Sequence, residues 1–274
     1  MNPPLLIHLG AQTDTGRKRA HNEDRFAVGA DLSAGRWDDL PDAAFPVGPL
    51  GVVLMVADGM GGMRAGEHAS GIAVGAVRAR FSGLSALPAS DEAALEYVKE
   101  ALMTAHRAVA DDAVRNPRRA GMGTTAVLAW IIGDGVFLAW SGDSRAYLLT
   151  PKGKLDLLTS DHSLVWEFVK LGHLTPEEAR RHPESNLITQ SLGDDFHRPA
   201  PDVARARLSP GCRLLLCSDG LNGMLSDDEI RRLLSDDAPP GRTCATLIAA
   251  ANEAGGTDNI TVVLLDVVAF GATA

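Results

Sequence analysis

The sequence predicts an α+β chain whose buried strands and amphipathic helices do not alternate regularly, which disfavours a wound parallel sheet. Two observations carry this: apolar runs of strand length bounded by Gly or Asp, and two segments with helical periodicity. A third is negative, since the stretches between Ala146 and Arg213 and after Leu225 read as helices or loops rather than as repeating βα units.

The apolar runs are Gly51 to Ala57, Thr124 to Ile132, Val136 to Ser141, Ala146 to Thr150, Arg213 to Ser218 and Ile260 to Val268. Ahead of them, the Pro-, Asp- and Gly-rich stretch from Gly35 to Gly51 reads as a surface loop joining two strands. One helical stripe comprises Ala69, Ile72, Ala73, Ala76 and Val77, with Gly66 opening the helix. Another comprises Ala94, Leu95, Val98, Leu102, Ala105 and Val109, with Ser90 as the expected N-cap. Later helices are expected from about Asp227 to Leu234 and from about Cys244 to Ala254. With no repeat or low-complexity linker, the 274 residues are expected to form one domain, 1–274.

Composition narrows the function. The 45% hydrophobic and 22% charged residues suit a soluble globule, and the net charge of −9 offers no basic field for nucleic acid or an anionic membrane. Cys212, Cys217 and Cys244 form no CxxC pair, which argues against disulfides and structural zinc. No apolar run reaches the roughly 18 residues of a membrane span, and the N-terminus lacks a signal-peptide pattern, so a cytoplasmic location is expected.

Four aspartates stand where apolar runs stop or start: Asp58, Asp143, Asp219 and Asp258. Any one Asp-Gly or Asp-Asn step is an ordinary turn former. Four together are different, because strands converging at one end of a sheet would crowd like charges that need a cation. Oxygen-only ligands suit Mg²⁺ or Mn²⁺, whereas zinc would want His or Cys, and the eight scattered histidines offer no such spacing. The segment TDTGRKRAHNEDRF adds Arg17, Lys18, Arg19 and Arg25 beside Glu23 and Asp24, a source of cations for an anionic substrate.

In chain order these residues resemble the metal-dependent protein phosphatases, the protein phosphatase 2C family, in its bacterial form. The matching segments are TDTGRKRAHNEDRF, VADGMGGMRAGEHAS, GMGTTAV, SGDSRAYLL, LTSDHSLV, ITQSLG, LLLCSDGL and GGTDNITVVLL, which span almost the whole chain. The resemblance implies a four-layer α-β-β-α sandwich of two largely antiparallel sheets flanked by helices, with a metal cluster in a cleft at one end. Carried over by position, Asp58 would bridge two Mn²⁺ or Mg²⁺ ions, the Gly59 carbonyl would complete one shell, and Asp219 with Asp258 would hold the other ion. Glu23 would act on the metal shell through water. Asp143, with Asp219, would take a third, weaker ion, and Arg19 of RxxNED would clamp the substrate phosphate. The catalytic set is thus Arg19, Asp58 and Asp219. The implied reaction is hydrolysis of phosphoserine and phosphothreonine in proteins by a metal-bridging water attacking in line, without a covalent intermediate.

The sequence departs from the family in two places. Met60 stands where some relatives carry a His assigned as general acid, and Met63 stands where many bacterial relatives read DGMGGH. His68, Glu67 and His162 are the candidate substitutes. The segment 163–192 fits the flap that borders the cleft in bacterial relatives, with Arg180, Arg181 and His182 placed to bias target choice. Other phosphatase chemistries are excluded: the positions six residues after the cysteines are Ser218, Gly223 and Ala250, not Arg, and neither a GxxxxGK[ST] loop nor a DxD nucleophile pair is present. The rivals are a noncatalytic phosphoprotein-binding module that keeps the fold, and a small-molecule phosphomonoesterase. Expected partners are phosphoproteins and a cognate Ser/Thr kinase, with the chain monomeric.

Overall fold

A computed structural model describes residues 4–61, 65–193 and 199–270. Its strands are β1 (Leu5–Asp14), β2 (Asp24–Asp31), β3 (Arg36–Trp37), β4 (Phe45–Pro46), β5 (Val52–Met60), β6 (Gly123–Thr124), β7 (Ala126–Ile132), β8 (Gly135–Ser141), β9 (Arg145–Leu149), β10 (Leu155–Leu157), β11 (Asp202–Arg207), β12 (Arg213–Cys217) and β13 (Ile260–Phe270). The helices are α1 (Ala65–Ser82), α2 (Asp91–Arg115), α3 (Leu164–Lys170), α4 (Pro176–Arg180), α5 (Asp219–Asn222), α6 (Asp227–Leu234) and α7 (Pro240–Glu253). One sheet runs β10-β9-β12-β13-β1-β4 and the other β11-β8-β7-β5-β2-β3, with β6 attached to β5. Every pairing among them is antiparallel.

Strand periodicity explains the layering. Because successive side chains point to opposite faces, an apolar run without alternation must be covered on both sides. In β5, Val52, Leu54 and Val56 face the other sheet, while Val53, Met55 and Ala57 face α1 and α2. β7 does the same, with Val127, Ala129 and Ile131 inward and Leu128 and Trp130 outward. In β13, Val263, Leu265 and Val267 meet the facing sheet, while Val262 and Leu264 pack on Leu247 and Ile248 of α7. Three cores between four layers result, which is the α-β-β-α sandwich that the resemblance implies. Each fully buried Val or Leu is worth about 1.5–3 kcal/mol. Phe81, Tyr97 and Trp130 pack edge-to-face or tilted with centroids 5.2 Å apart and join α1 and α2 to the sheet.

Most elements fall where the sequence places them. All six apolar runs are strands, Ser90 caps α2 by accepting from the Ala93 N–H at 3.2 Å, and α6 has the expected limits. α7 begins four residues earlier than expected, at Pro240. The stretch between Ala146 and Arg213 is corrected, since it holds the strands β10 and β11. β11 escapes a hydrophobic pattern because it is an edge strand whose Arg205 and Arg207 reach outward to Asp91 and Asp134. Within the expected loop before Gly51, β3 and β4 are short edge pairings of two residues each. The three cysteines are buried and unpaired. Among the described residues no helix is long and apolar enough to cross a membrane.

Candidate active site

The sandwich brings the ends of several strands to one cleft. Asp58 lies in the last part of β5, and Asp143 follows β8; both leave the same sheet. Asp219 follows β12 and Asp258 precedes β13, so the facing sheet supplies the other two. A cavity of about 230 Å³ is lined by all seven residues to which the resemblance gives a metal or phosphate role, Arg19, Glu23, Asp58, Gly59, Asp143, Asp219 and Asp258, whereas Arg17, Lys18 and Arg25 do not line it.

Local bonding explains how each is held. The Asp58 N–H donates to Thr125 Oγ1 at 3.1 Å, and its carbonyl accepts from the Thr124 hydroxyl at 2.9 Å and the Thr125 N–H at 2.8 Å. Gly59 has no room for a side chain, since a Cβ there would lie 2.1 Å from the Gly66 carbonyl oxygen. The Glu23 N–H donates to Asn259 Oδ1 at 2.8 Å, and Asn259 Nδ2 donates to the carbonyls of Thr15 and His21 at 2.9 Å each, so the residue after Asp258 anchors the Arg19-to-Glu23 segment. Arg19 Nη2 meets Asp258 Oδ2 at 2.6 Å.

Beneath the cleft lies a carboxylate to which the sequence reading gave no role. Asp24 is fully buried, stands opposite Asp58 in the β2–β5 register, and accepts from Ser218 Oγ across the sheets at 2.7 Å. Its adjacency to Glu23 in NED was the available signal. Thr125, Asn186 and Ile188 also line the cleft; Thr125 and Ile188 lie in motifs quoted above without a role of their own, and Asn186 lies in the segment 163–192.

The electrostatics are those of crowded acids short of water. Loss of solvent pushes Asp24 up to about 7, and Asp219 up to about 6 with Asp258 adding to the rise. Asp58 and Asp143 are held well above the usual carboxylate range by desolvation first, with Asp24 and Asp219 respectively as the largest charge contributions. Glu23 is raised by the same loss of water. Asp24 Oδ1 and Asp219 Oδ1 are buried without a hydrogen-bond partner in the structure. Oxygen-only donors, two of them orphaned, match the needs of a hard divalent cation. As the side chains stand, no group of three or more His, Cys, Asp or Glu among the described residues forms a ready ligand set; Asp258, for one, is turned to Arg19.

The suggested substitutes for the missing histidine do not enter the cleft. His68 is exposed, Glu67 pairs with Arg25 at 2.7 Å, and His162 is bonded to Gly142, Gln190 and Asp202. Met60 does line the cleft and has no proton to give. Met63 lies outside the described residues.

This site and sandwich define a phosphatase architecture, and the comparisons give it a family. The chain belongs to the protein phosphatase 2C family, whose model matches residues 40–255. It is, with that family, an enzyme of the serine/threonine protein phosphatase class. Protein phosphatase PhpP of Streptococcus pneumoniae is 38% identical over 263 residues, covering 94% of this chain and 97% of the relative. The S. agalactiae serine/threonine phosphatase structure superimposes with a TM-score of 0.81 at 34% identity, covering 95% and 99% of the two chains. The catalytic domain of PstP, solved in complex with two manganese ions, is 33% identical with a TM-score of 0.77, covering 96% and 99%.

Proposed function

We propose that this chain hydrolyses phosphoserine and phosphothreonine in proteins with Mn²⁺ or Mg²⁺ as cofactor, and so opposes a Ser/Thr protein kinase. The observation that carries the proposal is the gathering of Arg19, Glu23, Asp58, Gly59, Asp143, Asp219 and Asp258 around one cleft. Asp58, the Gly59 carbonyl, Asp219 and Asp258 would hold two ions, Glu23 would act on their shell through water, and Asp143 with Asp219 would hold a third. Bound there, divalent cations supply Lewis acidity, lowering the pKa of water and offsetting charge on phosphoryl oxygens. The chain's own part is to orient. Arg19 suits the phosphate because a guanidinium offers paired donors to two oxygens, and only its Nη2 is engaged with Asp258.

A protein substrate is favoured over a metabolite by a second lobe of the cleft. A cavity of about 220 Å³ shares Asp143, Asn186, Asp219 and Asp258 with the first and continues between α3, α4 and α5. Trp166, Ala179 and Met224 give it apolar walls, and Arg145 is already spent on Asp161 at 2.7–2.8 Å. The segment 163–192, read as a flap, roofs this lobe. Arg180 ties it down by donating to the carbonyls of Gly223 and Met224 at 3.3 Å each, and Arg181 instead pairs outward with Glu177.

Purified protein assayed on a phosphothreonine peptide with and without Mn²⁺ tests the proposal: metal-dependent phosphate release is expected, and its absence would leave the noncatalytic reading standing. Comparing kcat/KM on phosphoproteins with that on metabolite phosphates decides against the small-molecule rival if the former is higher. Arg180→Met should raise KM for the peptide several-fold while kcat/KM on p-nitrophenyl phosphate stays within about two-fold. Equal losses on both substrates would mean that the tether supports the metal lobe instead.

A further inference from the structure

We propose that His162, held as the tautomer protonated on Nε2, is the positioning residue that presents Asp143 to the cleft. Asp143 lies in the turn Gly142–Ser144 between β8 and β9, outside the paired residues of either strand. Gly142 has φ +107, and a Cβ on it would lie 2.6 Å from the Thr125 side chain, so the turn is pressed against its neighbour with no room to adjust.

His162 grips this turn twice. Its backbone N–H donates to the Gly142 carbonyl at 3.0 Å, and its ring Nδ1 accepts from the Gly142 N–H at 3.1 Å. Gln190 Nε2 also lies 3.1 Å from Nδ1. The direction of that amide is set by Ala200, whose N–H donates to Gln190 Oε1 at 3.2 Å and whose carbonyl accepts from Nε2 at 3.3 Å. Gln190 Nε2 has Ser141 Oγ within reach as well, at 3.2 Å, so the Gly142 N–H decides the tautomer: imidazole nitrogen accepts only where it carries no proton. The proton falls to Nε2, which faces Asp202 Oδ2 at 3.3 Å. Trp140 lies nearly parallel to the ring, 14° between the planes and 6.4 Å between centroids, and only 9% of His162 is exposed, so the ring is held between its partners with little contact with water.

The same knot reaches the flap segment. The His162 carbonyl accepts from the Thr189 N–H at 2.7 Å, so the residue that sets the Asp143 turn also fixes where 163–192 leaves the cleft. Because His162 does not line the cleft, its action runs through Gly142 and not through contact with the substrate. The ligand role of Asp143 rests on the proposed function, whereas the positioning role rests on the geometry alone.

Long-range ¹H–¹⁵N NMR of the full wild-type chain should find His162 Nδ1 unprotonated and Nε2 protonated; a proton on Nδ1 would overturn the proposal without any variant. His162→Asn keeps an acceptor close to the Nδ1 position, and His162→Gln moves it to the Nε2 end. Hydrogen exchange at the Gly142 amide should stay near the wild-type rate in H162N and rise at least about ten-fold in H162Q, and equal rates in the two would sink the idea. In an electron paramagnetic resonance titration, H162Q should weaken the low-affinity class of Mn²⁺ by about ten-fold, the ordinary cost of losing an outer-shell partner, and leave the tight class within about two-fold. Asp143→Ala is the comparator. If it leaves Mn²⁺ binding unchanged, the third-ion part of the proposed function fails, and Gly142 exchange still decides the role of His162.

Discussion

Asp219→Asn is expected to lower turnover on a phosphothreonine peptide by at least about a hundred-fold, since even outer-shell partners of a metal are worth 10- to 100-fold. The far-UV circular dichroism spectrum should be that of the folded wild type. The substitution preserves shape, so neither β12 nor α5 loses packing. It removes a carboxylate that is costly to ionise where it stands, raised to about 6 by loss of water and by Asp258, with one oxygen unpartnered. In the absence of metal the variant should therefore melt no lower than the wild type, while its gain in Tm from saturating Mn²⁺ should shrink. A folded variant that keeps its activity would remove Asp219 from the catalytic set.

The second large effect concerns pH. In the folded, metal-free protein Asp24 and Asp219 titrate near 7 and 6, and Asp58 and Asp143 are also raised, whereas unfolded carboxylates titrate near 4. Between those limits the folded state binds more protons than the unfolded one, so stability falls as pH rises. The metal-free chain should therefore be more stable at pH 5 than at pH 7.5, by a few kcal/mol. Divalent cations compete with those protons, so metal stabilisation should grow over the same window. At a hundred times the dissociation constant it is worth about 2.7 kcal/mol, a rise in Tm of several degrees for a chain this size. Thermal melts at pH 5.5 and 7.5, with EDTA or with Mn²⁺, read both trends. A Tm indifferent to saturating Mn²⁺ at pH 7.5 would count against the carboxylate cleft as a metal site.

Much of this was legible in the residues because burial on both faces writes itself as unbroken apolar runs, which is why β5, β7 and β13 could be placed without a structure. The four aspartates were legible for a related reason, since acids at the ends of such runs have to be accounted for. What stayed hidden was governed by long-range pairing. β1 mixes His8, Gly10 and Gln12 among its apolar residues, and its strand character comes from ten residues paired with β13. β11 is an edge strand whose arginines pair with Asp91 and Asp134 on the surface. The dependence of the Asp143 turn on His162 joins positions 20 apart through a loop contact that no periodicity records. Asp24 could be seen as charge but not as burial, because only the docking of β2 against β5 and Ser218 encloses it.

The division of the cleft between two sheets has a consequence for how the protein is made. Asp58 and Asp143 come off one sheet and Asp219 and Asp258 off the other, and β1 pairs along its whole length with β13, with Asp14 opposite Ile260. Such distant pairing requires almost the entire chain before the loop it closes is rewarded. During synthesis, then, the four aspartates cannot all be gathered before Asp258 and the β13 strand that follows it have been made. A product cut short before Asp258 would carry most of the motifs but only part of the ligand set.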